Sequence, residues 1–263
     1  MIKSILARLG YEISRSRFVA NRPASQAADD FNWDEYTDYY KNELIQGQQD
    51  HSLRLSASDY VFDKFQLVKH TSRAPLHPNH RLLYETVLVL DPRSVLEVGC
   101  GGGDHLFNLS SLKPTMSIFG VDRSTSQLEF AANRWPPIKD RTMKCDITLP
   151  YTTCLPSVDL VYTQAVIMHI KTGNGHLVAL SNLFRIAEKQ VVLMENWSHH
   201  QFLSDIQFLH RERMIPWEDV FFYFRRSPEY GDKPHVMIIS SIPLDLEPLV
   251  DYSVLQPKKI EWL

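Results

Sequence analysis

The chain has 263 residues, of which 28 are basic and 31 acidic, and 44% of its residues are hydrophobic. This length is enough for one large domain, or for a medium domain with extensions, around a sizeable buried core. The net charge of −3 excludes a strongly basic nucleic-acid binder. No stretch approaches the ~18 apolar residues that span a bilayer, and the N-terminus lacks the apolar core of a secretory signal.

The three cysteines are Cys100, Cys145 and Cys154. Their number is odd, and no two of them have the spacing of a disulfide staple or a zinc site. Reduced thiols are therefore expected, and the chain is predicted to be a soluble cytoplasmic protein.

Residues 1–18 are predicted to form an amphipathic basic helix. Its apolar side chains recur at helical spacing and are Ile2, Ile5, Leu6, Leu9 and Ile13. Such a helix can lie in a membrane interface, attracted by anionic lipid, or pack on a second subunit. It can equally pack on its own domain. Peripheral contact with the inner face of a membrane, contact with a subunit and intramolecular packing all remain open.

Residues 19–79 are predicted to be a linker followed by a helical extension. An acidic, aromatic helix is expected over Trp33–Leu44, and a further helix over Ala57–Lys69. The aromatic face of the earlier helix suits either a lid over bound ligands or a contribution to the core. Residues 80–263 are then predicted to form the main domain, which begins with a helix over His80–Leu88.

From Asp91 onward, strand and helix patterns alternate, which predicts an α/β domain with a doubly wound, mostly parallel sheet. The strand candidates are Ser94–Val98, Ser117–Val121, Thr142–Cys145, Asp159–Thr163 and Gln190–Met194. The helix candidates are Gly103–Leu112, Ser124–Asn133 and Gly175–Ala187. Two further apolar runs, Val220–Arg225 and His235–Ser240, predict a C-terminal antiparallel hairpin that completes a seven-stranded, Rossmann-like sheet.

A cluster of glycines follows the earliest of these strands. The chain has only 10 glycines, and four of them fall between Gly99 and Gly103. A strand that breaks at glycine and restarts as a helix lets a ligand approach the backbone and the unpaired N–H groups of the helix N-terminus. Such a turn binds either a dinucleotide phosphate or a nucleoside that carries a carboxylate.

Acidic residues around the turn favour the nucleoside. Asp104 occupies a position that the dinucleotide fingerprint gives to a small residue, and its charge would oppose a pyrophosphate. Glu97, inside the strand, suits the ammonium group of an amino acid. Asp122 and Asp146 follow the next two strands, where they can accept hydrogen bonds from ribose hydroxyls and from an adenine amino group.

Four segments in this order resemble the class I S-adenosylmethionine-dependent methyltransferases. They are VLEVGCGGG, FGVDRS, KCDIT and DLVYTQAVIMHI, and the resemblance covers roughly residues 80 to 195. It implies S-adenosylmethionine as cofactor. It also implies that Glu97, Gly99, Gly101 and Gly103 line the methionine part, that Asp122 holds the ribose, that Asp146 and the Ile147 backbone hold the adenine, and that Thr163 or Gln164 lies beneath the sulfonium.

For the acceptor side, histidines are the candidates for a general base. His169 follows the fourth strand and would lie near the methyl group. A substrate-side insertion is expected over residues 195–219, in which Trp197 could stack on a sugar or aromatic ring and His199 or His200 could take a proton. No cysteine or acid at ligand spacing completes a zinc site with His199, His200 and His210, so no metal is predicted.

The resemblance and the residues together favour an O-methyltransferase that acts on a small molecule or a glycan. The basic N-terminal helix, followed by Gly10-Tyr11, resembles the openings of bacterial enzymes that modify cell-envelope sugars. A nicotinamide-dependent oxidoreductase is disfavoured by the acids around the glycine turn. A non-catalytic module of the same fold, which would act through its N-terminal helix, remains an alternative.

Overall fold

A computed structural model describes residues 33–45, 54–72, 75–150, 155–171, 173–226 and 234–252. The predicted basic helix at 1–18, the linker at 19–32 and Cys154 lie outside the described residues. Among the described helices, none combines the length and apolar composition that are needed to cross a membrane.

The described chain alternates between helices and strands over most of its length. The helices are α1 (Trp33–Ile45), α2 (Pro78–Leu90), α3 (Asp104–Leu112), α4 (Thr125–Arg134), α5 (Gly175–Ile186) and α6 (Phe202–Arg211). Short 3₁₀ helices cover Pro136–Arg141 and Ile167–His169. The strands are β1 (Tyr60–Asp63), β2 (Gln66–Lys69), β3 (Ser94–Val98), β4 (Ser117–Asp122), β5 (Thr142–Lys144), β6 (Val158–Gln164), β7 (Ala187–Met194), β8 (Phe221–Arg226), β9 (Pro234–Ser240) and β10 (Val250–Asp251).

Eight of the described strands form one sheet in the order β10-β8-β9-β7-β6-β3-β4-β5. Strands β3 to β7 run parallel, and β9 pairs antiparallel with both β7 and β8. The α/β, doubly wound sheet and its antiparallel C-terminal hairpin are therefore confirmed. The sheet is one strand wider than expected, because β10 pairs with the outer edge of β8.

Helices cover both faces of the sheet, and this explains why its central strands are apolar on both sides. On one face, side chains of α2 and α3, such as Leu83 and Leu106, pack in a buried cluster with Val95. On the other face, Leu183 of α5 and Ile206 of α6 pack in a second cluster. Within the described residues, both faces of the central strands are thus covered by helices.

The predicted helix over Ala57–Lys69 is wrong, because this segment is the antiparallel hairpin β1–β2. Lys64 and Phe65 form its turn with φ values of 44° and 66°, which a helix cannot accommodate. Tyr60 of β1 and Leu67 of β2 are the buried residues of these two strands. The β-branched and aromatic residues in this segment favour a strand, and that signal outweighs the helical spacing.

Polar contacts hold helix α1 against the rest of the molecule. The Gln127 side-chain amide donates to Thr37 Oγ1 at 2.8 Å, and Thr37 Oγ1 lies 3.0 Å from Ser126 Oγ. The Tyr40 hydroxyl donates to Asp104 at 2.8 Å. These contacts place α1 beside the carboxyl ends of the parallel strands.

A buried carboxylate stabilises the opposite, amino-terminal edge of β6. The Asp159 side chain is 3% exposed, accepts a hydrogen bond from the Arg93 amide at 2.8 Å and pairs with Lys189 at 2.8 Å. Although burial opposes it, these bonds lower the pKa of Asp159 to about 2. The ionised form is therefore favoured in the folded state.

We expect Asp159→Asn to lower the free energy of unfolding at pH 7 by on the order of 2 kcal/mol. Because the folded pKa lies below the unfolded value, this stabilisation is complete above about pH 4 and is lost as the pH falls through about 2. Urea unfolding of both proteins across this range measures the effect. A gap that stays constant down to pH 2 would contradict it.

Candidate functional site

A cavity of about 770 Å³ lies at the carboxyl ends of β3, β4, β5 and β6. This is the volume of a typical small-molecule site, and the edge of the sheet is the one at which open α/β folds bind ligands. Between β3 and β6 the strand order reverses, which opens a crevice at this point. Residues of α1 close one side of the cavity.

The turn after β3 forms the floor of the cavity. The amides of Gly99 and Cys100 both donate to the Val121 carbonyl, at 2.7 and 3.0 Å, and so bind the turn to β4. Gly99 has a φ of 77°, and a Cβ atom there would lie 2.3 Å from Cγ2 of Val166. Only glycine fits at this position, where the loop after β6 packs onto the turn.

Asp122, at the end of β4, bridges the turn and the start of α4. Its Oδ2 accepts a hydrogen bond from the Gly101 amide at 2.9 Å, and its Oδ1 accepts one from the Ser124 amide at 2.8 Å. Burial raises the pKa of Asp122, and the two amides oppose that rise. Each oxygen retains a lone pair, and the residue lines the cavity.

Glu97 and His105 form a buried pair at the place where the sequence predicts the methionine part of the cofactor to bind. The His105 Nδ1 lies 2.8 Å from Glu97 Oε1, and Glu97 is 3% exposed. Within the described part of the chain, Glu97 Oε2 accepts no hydrogen bond of good geometry, although the buried Tyr162 hydroxyl lies close enough to stabilise the carboxylate. Burial raises the pKa of Glu97, which His105 opposes. A buried carboxylate oxygen without a partner beside a cavity is suited to a cationic ligand group.

Asp146, Ile147 and Gln164 also line the cavity, as the sequence predicts for cofactor contacts. Asp146 Oδ1 accepts hydrogen bonds from the Thr148 amide at 3.0 Å and from its hydroxyl at 2.6 Å. Gln164 carries a buried Oε1 without a partner among the described residues. Thr163 is fully buried and donates to Glu195, so it is Gln164 that faces the cavity.

Asp104 plays a different part from the one expected. Its carboxylate pairs with Arg134 at 2.7 and 3.0 Å and accepts the Tyr40 hydroxyl bond. Arg134 therefore balances its charge, and Asp104 alone does not oppose a pyrophosphate. Asp104 thereby links α1, α3 and α4 at the rim of the cavity. The glycine-turn motif in the sequence does not predict these contacts between distant residues.

Aromatic side chains of α1 form the wall that faces the loop after β6. Trp33, Tyr36 and Tyr39 all line the cavity, as does His169. The rings of Trp33 and His169 meet edge to face with their centroids 5.9 Å apart. The acidic aromatic helix predicted from the sequence is thus confirmed, and its aromatic residues contact the cavity.

Two predicted contacts lie elsewhere. Gly103 does not line the cavity, because it caps α3 at a φ of 76° and packs against Ile138 and Ala131. Trp197 also lies outside the lining residues and stacks near Tyr252, with ring centroids 6.5 Å apart.

We expect Gly103→Ala to destabilise the fold by about 2–4 kcal/mol, since it combines left-handed backbone strain with overpacking. An added Cβ would lie 2.5 Å from Ile138 Cδ1 and 3.2 Å from Ala131 Cβ. Thermal unfolding measures the loss. Gly173→Ala is the matched control, because Gly173 shares the left-handed conformation, with a φ of 53°, but nothing lies within 4 Å of its added Cβ. Equal losses in both variants would show that packing contributes nothing.

The predicted bases His199 and His200 lie outside the cavity lining and face the backbone of the loop after β6. His199 Nδ1 lies 3.1 Å from the Met168 carbonyl, and His200 Nε2 lies 3.1 Å from the Ile167 carbonyl. His210 Nε2 lies 3.0 Å from the Glu218 carbonyl. In the described ranges, no three His, Cys, Asp or Glu side chains are grouped to hold a metal ion.

One residue that the sequence analysis did not single out is Glu195. It follows β7 directly, is 8% exposed and accepts hydrogen bonds from the loop after β6. The available signal was an acid at the end of an apolar strand, which is the pattern that identified Asp122.

Comparison with known proteins gives a family match over the central part of the chain. A family model described as a methyltransferase domain matches residues 95–190. A protein of Invertebrate iridescent virus 6, described as methyltransferase 235L, is 26% identical over 140 residues. That alignment covers 44% of this chain and 52% of the viral protein, so this chain spans about half the length of that relative.

Solved structures share the fold at low sequence identity. A TehB-like SAM-dependent methyltransferase from Corynebacterium glutamicum is 16% identical, with a TM-score of 0.51 over 79% of this chain and 96% of that chain. The magnesium protoporphyrin IX methyltransferase of Synechocystis PCC 6803, with bound SAM, is 15% identical, with a TM-score of 0.51 over 83% of this chain and 99% of that chain. Both likenesses concern the fold alone.

Proposed function

We propose that the chain is a class I S-adenosylmethionine-dependent methyltransferase, in keeping with the methyltransferase-domain match over residues 95–190, and that it transfers the methyl group of this cofactor to a hydroxyl of a small molecule or glycan. The observation that carries the proposal is a row of acids at the ends of three neighbouring strands. Glu97, Asp122 and Asp146 all line one cavity, at β3, β4 and just after β5.

The residues present fit S-adenosylmethionine. The Glu97 Oε2 atom is buried without a described partner and suits the ammonium group of the cofactor. The oxygens of Asp122 retain lone pairs for two ribose hydroxyls, while the Ile147 backbone and Asp146 would bind the adenine. The acceptor groups along the cavity thus match, in order, the ammonium, ribose and adenine groups of the cofactor.

When bound, S-adenosylmethionine supplies an electrophilic methyl group, to whose carbon an acceptor oxygen can bond in line while the carbon–sulfur bond breaks and S-adenosylhomocysteine leaves. The protein's part is then to align the acceptor, exclude water and remove one proton. His169 lines the cavity and is the residue that we assign to proton removal from the acceptor hydroxyl. Gln164, whose Oε1 has no hydrogen-bond partner among the described residues, would lie beside the transferred group.

The aromatic wall of α1 supports an acceptor with a flat or ring-shaped face. Trp33, Tyr36 and Tyr39 offer ring surfaces on which a sugar or an aromatic ring can stack. The openings of bacterial enzymes that modify envelope sugars, which the N-terminus resembles, favour a sugar. This wall is the surface on which the choice of acceptor depends.

Transfer of a labelled methyl group from S-adenosylmethionine to panels of sugars and small hydroxyl compounds tests the proposal. We expect incorporation in base-stable form, as in a methyl ether, with Asp122→Ala as the inactive control. Absence of binding to S-adenosylhomocysteine by calorimetry, or a nicotinamide-dependent absorbance change instead, would overturn it.

A further inference from the structure

A buried carboxylate at the end of β7 binds the loop that follows the neighbouring strand β6. Glu195 accepts hydrogen bonds from the Val166 amide at 3.0 and 3.1 Å and from the Met168 amide at 3.1 Å. The Thr163 hydroxyl donates to Oε1 at 2.7 Å. One side chain thus satisfies three donors of a segment only six residues long.

The same loop is bound through its carbonyl groups by the residues that follow Glu195. His199 Nδ1 and His200 Nε2 each lie 3.1 Å from a loop carbonyl, those of Met168 and Ile167 respectively. Because the amides are bound by Glu195 and the carbonyls by the histidines, residues 195–200 hold both sides of one stretch of backbone. Such a backbone position is strongly determined.

The loop has a conformation that needs this support. Ala165 has a φ of 53°, which costs a non-glycine residue about 1 kcal/mol or more. Its amide donates to the Met194 carbonyl at 3.0 Å, directly before Glu195. Gln164 and His169, which border this strained turn, both line the cavity.

We infer that Glu195, His199 and His200 are positioning residues, which hold the loop 164–170 so that Gln164 and His169 face the transferred group. The two histidines therefore act through the loop backbone and not as bases on the acceptor. The identity of the group that the loop faces rests on the proposed function. The mechanical part, that residues 195–200 hold the loop, does not.

Glu195→Gln is the direct test, since it keeps the shape of the side chain and replaces one acceptor oxygen with an N–H₂ donor. That donor would face backbone amides that also donate. We expect the hydrogen exchange of the Val166 and Met168 amides to accelerate by about 10-fold or more. The edge-to-face contact of Trp33 and His169 predicts that the His169 ring resonance shifts as well.

Asp159→Asn is the matched control, because Asp159 is also a buried acid that accepts a backbone amide bond, but at the other end of β6. Asp159→Asn is expected to lower stability without changing the hydrogen exchange of the Val166 and Met168 amides or the His169 ring resonance. The inference is overturned if the loop amides exchange within about 2-fold of wild type in Glu195→Gln, or if all sheet amides accelerate equally in that variant.

If Glu195→Gln fails to fold, the His199→Ala/His200→Ala double variant decides, since both rings lie nearer the surface. It should accelerate exchange in the peptide 164–170 by at least about 3-fold and leave β3 and β4 unchanged. Unchanged exchange there would also refute the inference. Calorimetry with S-adenosylhomocysteine on the wild type is recorded separately, so a failure of the proposed function is distinguished from a failure of the positioning role.

Discussion

Asp122→Asn is expected to weaken the binding of S-adenosylhomocysteine by about 100-fold or more, or to below detection. The two ribose hydroxyls would donate to the remaining lone pairs of the carboxylate, and hydrogen bonds to a charged acceptor are worth about 1.5–3 kcal/mol each. Asparagine replaces one oxygen by a donor. That donor would also oppose the amide of Gly101 or Ser124, both of which Asp122 accepts in the folded chain.

Isothermal titration calorimetry of the wild type and the variant measures this loss. Asp159→Asn is the control, because it makes the same chemical change in a buried acid on the same sheet but outside the cavity lining. It should bind S-adenosylhomocysteine as the wild type does. An affinity of Asp122→Asn within about 3-fold of wild type would contradict the ribose assignment.

Glu97→Gln has the second largest expected effect, a loss of about 10- to 100-fold in affinity for S-adenosylhomocysteine. The amide keeps an oxygen for His105, which lies 2.8 Å from Oε1, but it removes the charge that suits the ammonium group. Adenosine lacks the amino-acid part of the ligand. Its affinity should therefore be the same for the variant and the wild type, measured by the same calorimetry.

Glu85→Gln is the matched control for Glu97→Gln. Glu85 is a buried acid of α2 that accepts the Leu67 amide at 2.8 Å and pairs with Arg225 at 3.5 Å, away from the cavity. Its replacement should lower the melting temperature and leave ligand affinity unchanged. If Glu97→Gln weakened adenosine as much as S-adenosylhomocysteine, Glu97 would have to be assigned to another part of the ligand.

The positions of the strand-end acids could be predicted from sequence because they follow from local rules. Buried parallel strands are apolar throughout, so an acid at the end of one of them stands out, as with Asp122, whereas Asp146 follows the largely exposed edge strand β5 and was predicted from its place after the third strand. The carboxyl ends of parallel strands then meet at one edge without further information. The geometry confirms that these acids line one cavity.

Pairing between distant residues could not be predicted in this way. Asp104 is separated by 30 residues from Arg134 and by 64 from Tyr40, and only the packing of α1 and α4 brings the three together. The prediction of a helix where the chain forms the hairpin Tyr60–Lys69 failed for a related reason. Its two strands are stabilised by a turn and by burial against the domain, which outweigh the local helical spacing.

The sequence by itself determined the α/β class, the order of the central strands and helices, the glycine turn and the acids that point to S-adenosylmethionine. These features depend on periodicity and on residue types at strand ends, which are local. Only the tertiary structure decided that His199 and His200 face the loop backbone while His169 faces the cavity. Adjacent polar residues in a loop cannot be told apart by their sequence pattern. Hydrogen bonds to residues about thirty positions away set the directions of their side chains.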